Sequence, residues 1–109
     1  MFLLAPTWAA ATTAALGPFG LDVRARGFNE HCVKLDAGER VRYRYSANGE
    51  TDFNIHYHVG KEAEFPAKQA QARSGQDILR VAVREDYCWM WSNKSSGRAR
   101  IDVLLQRQS

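Results

Sequence analysis

His56 and His58 stand two apart in the stretch 52–62, DFNIHYHVGKE, and are two of the chain's three histidines. Strand residues i and i+2 point to the same side, about 7 Å apart along the backbone. Two imidazoles so placed can share one metal ion if a neighbouring strand supplies further ligands. Cys88, if reduced, and Met90 are soft donors that suit copper(I) alongside imidazole, and zinc is the other candidate ion. The preceding run argues for a different guest. Arg40, Arg42 and Arg44 alternate with Val41, Tyr43 and Tyr45, and Asn48-Gly49 is a strong hairpin signal between that run and 52–59. Such a hairpin lays the arginines beside His58, His56 and Asn54. Three fixed positive charges disfavour a cation, hold the histidine pKa values down, and favour a phosphate, a carboxylate or an acidic partner surface. The third reading is a solvated sheet face with no ligand.

Other chemistry is sparse. There is no G-x-S-x-G, no P-loop and no H-E-x-x-H, so the residues point away from an enzyme. Glu62 and Glu64 fall in a polar stretch and read as solvated surface. His31 shares parity with Val33 and Leu35, which sends it toward the core or its edge. Trp89 and Trp91 share a parity and read as core. A nucleic-acid surface would interleave exposed aromatics with a dense basic patch. The net charge of +3 is too small for that, and nucleic acid is not an expected partner.

The elements that must position these residues are short strands. Residues 26–35 carry one, up to Leu35, and Asp36–Glu39 form a turn. The runs 40–46 and 52–59 alternate with period two, the clearest strand signal present. Residues 60–76 are polar, contain Pro66 and Gly75, and read as a loop with at most a short edge strand near Glu64-Phe65. Residues 77–84, 86–93 and 98–107 each read as a strand, with Lys94–Gly97 as a turn. Arg80 and Arg84 mark one wet face. Several strands at short spacing without a helical period predict an all-β fold, an antiparallel, jelly-roll-like β-sandwich of about six to eight strands. With 109 residues the chain forms one domain. Its 45 % apolar and 25 % charged content argues against disorder.

Residues 1–21 differ from the rest. They carry no charge, and Ala9-Ala10-Ala11 offers a small-residue cleavage site. This resembles the apolar part of a secretory signal without its positive start, and the alternative is an ordinary apolar N-terminal arm. Pro6, Gly17, Pro18 and Gly20 interrupt the run, so a membrane span is not expected. We therefore divide the chain into 1–21, signal-like, and 22–109, the folded domain. Export would place the protein in a periplasm or outside the cell. There Cys32 and Cys88 would favour a disulfide; the alternative is two buried thiols.

The strand order carries a resemblance. A strand with His31-Cys32, the turn and strand DAGERVRYRY, the strand FNIHYH and the aromatic strand DYCWMWSN follow one another. Over about residues 28–106 this resembles the GOLD (Golgi dynamics) domain, with Tyr87-x-Trp89-x-Trp91-Ser92-Asn93 as its most telling motif. GOLD domains occur in cargo receptors of the early secretory pathway and in some Sec14-like lipid-transfer proteins. The resemblance implies a β-sandwich and a non-enzymatic interaction module, here a small stand-alone bacterial-type exported member. Cargo-receptor members have a cysteine in the first strand and another just before the aromatic-Ser-Asn ending. Cys32 matches the first, and Cys88 lies about two residues early relative to the second, on the same strand parity, which implies the Cys32–Cys88 disulfide. The coiled coil and membrane helix of the cargo receptors have no counterpart in these residues, so vesicle traffic is not implied. The expected function is a binding module of the cell envelope without a cofactor. It would use Arg40, Arg42, Arg44, His56 and His58 against a small anionic ligand or a protein partner. The alternative is a periplasmic copper or zinc protein using His56, His58 and Met90.

Overall fold

The computed structural model describes residues 16–108. Six antiparallel strands make up the fold: β1 (Phe19–Val23), β2 (Gly27–Leu35), β3 (Arg40–Val59), β4 (Glu62–Arg80), β5 (Glu85–Asn93) and β6 (Ala99–Gln108). No helix occurs among the described residues, and the all-β expectation holds. The hydrogen-bonded order is β1-β6-β3-β5-β2, with β4 on the other side of β3. β3 is long enough to serve both layers of a sandwich. Its first half pairs with β6, from Arg40↔Gln108 to Ala47↔Ile101, and its second half with β5, from Asp52↔Ser92 to His56↔Cys88. We call the β1-β6-β3 side the first layer and the β3-β5-β2 side the second. β4 runs beside β3 through both.

The hairpin expected at Asn48-Gly49 is not formed. Both residues lie inside β3, where the strand leaves β6 and joins β5. Pairing with β4 slips there, passing from Ser46↔Ser74 to Thr51↔Ala72, so β3 carries extra residues in a bulge. A bulge bends a strand and increases its twist, and Asn and Gly serve that bend as readily as a reversal. Asn48 also fills the gap left in the ladder: its side-chain oxygen accepts from the Arg100 backbone N–H at 3.0 Å. The reversal comes later, at Gly60-Lys61, between Val59 and its partner Glu62. Gly60 has φ 62° and Lys61 is not in the left-handed region, as in a type II′ two-residue turn.

Residues 60–76 are therefore mostly strand and not loop. β4 is an edge strand that pairs only with β3. Its inward positions opposite Thr51 and Ile55 are Ala72 and Ala67, and the one opposite Tyr45 is Gly75, so no hydrophobic alternation marks it. A Cβ on Gly75 would come within 2.7 Å of the Tyr45 ring, so glycine is needed for that ring to lie across the strand. Pro66, Lys68 and the glutamates suit an edge that must not recruit another strand. β4 ends at Arg80; residues 81–84, expected as strand, are irregular.

Odd positions of β3, β5 and β6 fill the core. Val41, Tyr43, Tyr45, Phe53 and Ile55 meet Tyr87, Trp89, Trp91, Ile101, Val103 and Leu105, all buried. Phe53 joins the two halves of β3: its ring lies 4.7 Å from Tyr45 and 5.2 Å from Trp91. Burying one such ring stabilises the fold by about 2–3 kcal/mol. Burial also pushes the Tyr43 and Tyr45 phenols up to about 12, helped in turn by Asp77 and by Tyr43.

Leu16 is buried and β1 begins at Phe19, so the folded body includes residues that the sequence reading placed in the apolar N-terminal segment. The small-residue site at Ala9–Ala11 lies outside the described residues. Cys32 and Cys88 are opposite one another in the β2–β5 ladder and form a disulfide within one layer. Asn93, 1 % exposed at the end of β5, ties two connections together. Its amide donates to the carbonyls of Val23, Arg24 and Gly97, and its oxygen accepts from the N–H and hydroxyl of Ser95.

Asn93→Ala leaves those buried groups without partners and should lower stability by about 2–4 kcal/mol in equilibrium denaturation; a loss under about 0.5 kcal/mol would contradict this role. Replacing both cysteines by serine should remove up to about 4 kcal/mol, the chain-entropy value for so long a loop, while the near-ultraviolet circular dichroism of Trp89 and Trp91 persists.

Candidate functional site

Because β3 bends at its bulge without reversing, its arginines and histidines stand on different layers. Arg42 and Arg44 pair with β4 and β6, whereas His56 pairs with Cys88 of β5. The strand bends between Arg44 and His56, so that Tyr43 and Tyr45 of its first half reach the ring of Phe53 in its second half across the core, at 5.6 and 4.7 Å. The single Arg/His face expected from a hairpin is thus two surfaces, and no arginine is among the causes that shift the His56 pKa.

The outer surface of the first layer is a shallow open groove. Arg44 lies between Gln76 of β4 and Leu104 of β6, and Arg42 between Ile78 and Gln106. Two hollows meet there, of about 740 and about 390 Å3, sharing Arg44, Gln76 and Leu104. Pro18 and Asp102 border the larger, and Asp77 the smaller. Among the described residues neither Arg42 nor Arg44 has an ion-pair partner, while Arg84, Arg100 and Arg107 each have a carboxylate. Arg40 is at the far end of the same row, opposite Arg80 and Gln108.

The outer surface of the second layer carries the other candidates. Cys32, Cys88 and His56 form one row across β2, β5 and β3; Glu30, Met90 and Asn54 form the next. His56 is only 7 % exposed. The ring of Phe65, from the bulge in β4, lies 5.8 Å from it, and His58 meets it edge-on at 5.2 Å. Its Nδ1–H donates to the Asn54 side-chain oxygen at 2.8 Å, which turns Nε2 toward Glu30. The 3.7 Å from Nε2 to the Glu30 carboxylate is too long for a hydrogen bond. Burial lowers the His56 pKa; Glu30 works against this and His58 adds to it. The only group of histidine, cysteine and acidic side chains with mutually close donor atoms among the described residues is Glu30, His56 and Cys88, all within 4.8 Å. His58 is not in it, and the Cys88 sulfur is bonded to Cys32.

Glu30 and Phe65 were not singled out from the sequence. Glu30 is two residues from Cys32, the same i, i+2 spacing that drew attention to His56 and His58, but only the strand order makes β2 a neighbour of β5. Phe65 reaches His56 through a bulge that no pattern announces. Phe28 is 62 % exposed, on the same parity of β2. His31, as expected, is at the core's edge: its ring lies 4.2 Å from Phe19, and burial lowers its pKa. A further hollow near Lys94 is closed by its own ion pair, Lys94 to Asp52 at 2.8 Å; that contact and the Gln71 N–H hold the Asp52 carboxyl below the usual carboxylate range.

Aeromonas hydrophila PliG, a periplasmic lysozyme inhibitor of g-type lysozyme, superposes with a TM-score of 0.65 over 84 % of this chain and 85 % of its own, at 11 % identity. Salmonella Typhimurium PliG gives 0.59 over 84 % and 90 %, again at 11 % identity. A structure described as "CBM4 structure and function" gives 0.53 over 87 % of each chain, at 11 % identity. No family model and no curated protein matches the sequence. At such identities the likeness establishes the fold, a small β-sandwich, and nothing finer. No helix among the described residues is long and apolar enough to cross a membrane.

The lowered pKa values of His31 and His56 fix the sign of one pH dependence. The unfolded chain takes up protons at the ordinary histidine value of 6.5, the folded chain only below it. Stability is therefore full above that value and falls as pH drops through it. The thermal midpoint should be lower at pH 5.5 than at pH 7.5, and His56→Gln should shrink the difference; equal midpoints in the parent chain would contradict it.

Proposed function

We propose that this chain is an exported, non-enzymatic binding module that seats an acidic surface of a protein partner in the groove of Arg42 and Arg44. The observation that carries this is the pair of guanidinium groups without ion-pair partners among the described residues, side by side over an open groove of the sheet. A guanidinium presents a planar fork of donors that matches a carboxylate in two-point contact. Leu104, Ile78 and Pro18 add apolar surface beside the charges, as an interface core requires. Asp77 and Asp102 at the border would turn away a guest that places its negative charge off-centre.

Export is supported by the Cys32–Cys88 disulfide, since such bonds persist in oxidising compartments. The periplasmic lysozyme inhibitors with the same fold support a protein as the guest, without identifying which one. A GOLD-like interaction module is compatible with both; the Tyr87–Asn93 motif that suggests it supplies core and a loop anchor, not the groove.

A hexaglutamate peptide carrying a fluorophore serves as the probe. Arg42→Ala with Arg44→Ala should weaken its binding at least tenfold, and raising salt should weaken it for the parent chain, because exposed charges are screened over about 10 Å at 0.1 M. Arg98→Ala, exposed near the opposite end of β6, should leave binding unchanged. Equal affinity in the parent chain and the double variant would reject the groove.

A further inference from the structure

The second layer holds a different device, independent of the arginine groove. We propose that reduction of the Cys32–Cys88 disulfide opens a metal site, in which both cysteine sulfurs, His56 Nε2 and a Glu30 oxygen take one zinc-class ion. Three donors are already gathered: those of Glu30, His56 and Cys88 lie within 4.8 Å of one another, and the fourth, Cys32, stands outside that group but is bonded to Cys88. They come from three adjacent strands, so the sheet holds them in register without a loop having to order. Two thiolates, an imidazole and a carboxylate form a four-donor set that tetrahedral zinc accepts.

Two details go beyond proximity. First, His56 is oriented as metal-binding histidines are. One ring nitrogen donates to an outer acceptor, Asn54, which fixes the tautomer and leaves the other with a free lone pair. Second, that lone pair faces the Glu30 carboxylate across 3.7 Å, too far for a hydrogen bond. Two acceptors directed at one gap suit a cation between them. With the disulfide intact only this nitrogen and oxygen are free, too few to hold a zinc-class ion. His58 is outside the gathered set, so this site differs from one built on the two histidines.

A dithiol gives up two electrons and two protons and becomes a disulfide, or a phosphine gives up two electrons and takes the oxygen of a water, which supplies the two protons, to become a phosphine oxide. The sulfur–sulfur bond breaks and each sulfur takes a proton. On binding the ion, the two thiols release those two protons. Access is open at Cys32, which is exposed on β2, the edge strand of the layer.

The test uses the full chain, oxidised or reduced with a phosphine without air, titrated with Co2+ and then Zn2+. The reduced chain should bind one Co2+ with a thiolate-to-cobalt charge-transfer band, lose it to Zn2+, and bind at least 100-fold more tightly than the oxidised chain. Glu30→Gln and His56→Ala should each weaken binding at least tenfold; His58→Ala and Met90→Ala should change it less than twofold. The near-ultraviolet signal of Trp89 and Trp91 reports whether the reduced chain stays folded. The proposal is overturned if the charge-transfer band is absent, if binding is equal in the two redox states, if neither Glu30→Gln nor His56→Ala weakens it, or if the reduced chain loses its tertiary signal and Zn2+ does not restore it.

Discussion

One strand belongs to both layers of the sandwich, and everything else is placed around it. β3 must pair with β6 over its first half and with β5 over its second, while odd positions face the core throughout. Keeping that parity across the change of partner requires a bend that adds residues without reversing the chain. The bulge around Asn48-Gly49 supplies it, and the Asn48 side chain caps the ladder where β6 ends its pairing. Phe53, packed on both Tyr45 and Trp91, closes the core across that bend.

That arrangement also decides the electrostatics. A chain with a net charge of only +3 can still present a concentrated basic surface if its arginines share one row. The first half of β3 does this, and the ladder opposite it offers glutamine, leucine and isoleucine in place of carboxylates. Other arginines are neutralised by Asp36, Asp22, Asp102 and Glu39. The second half of β3 faces a different setting, in which a buried imidazole, a disulfide and a carboxylate are neighbours. The two surfaces share a strand but lie on different layers, turned away from the core that separates them.

The second surface has a structural reason for its chemistry. A disulfide between opposed residues of adjacent strands occupies one row of a sheet and brings whatever lies next in that row into contact with sulfur. Here the neighbour is His56, held by Asn54 and covered by Phe65. Asn93, at the end of the same β5 strand, holds the two loops that frame the layer. β5 therefore supplies core tryptophans on one face, the sulfur row on the other, and a loop anchor at its end.

Much of this was legible in the sequence. The period-two runs at 40–46 and 52–59 identify the strands and their inward residues, because burial on one side of a pleat imposes that period on any sheet. The tryptophans of DYCWMWSN declare a core face, and the pairing of Cys32 with Cys88 followed from the resemblance and from a presumed export. Other features were hidden for stated reasons. β4 has alanine and glycine where an alternating pattern would need large apolar residues, so it reads as loop. Asn48-Gly49 favours a tight reversal locally, but continuous pairing with β4 and the change from β6 to β5 demand a bend. Gly60-Lys61, a weaker signal, is the true reversal. Whether the arginines meet the histidines depended on that one choice. Local residue preference cannot make it, because the energy that decides it lies in strand pairings between residues far apart in the chain.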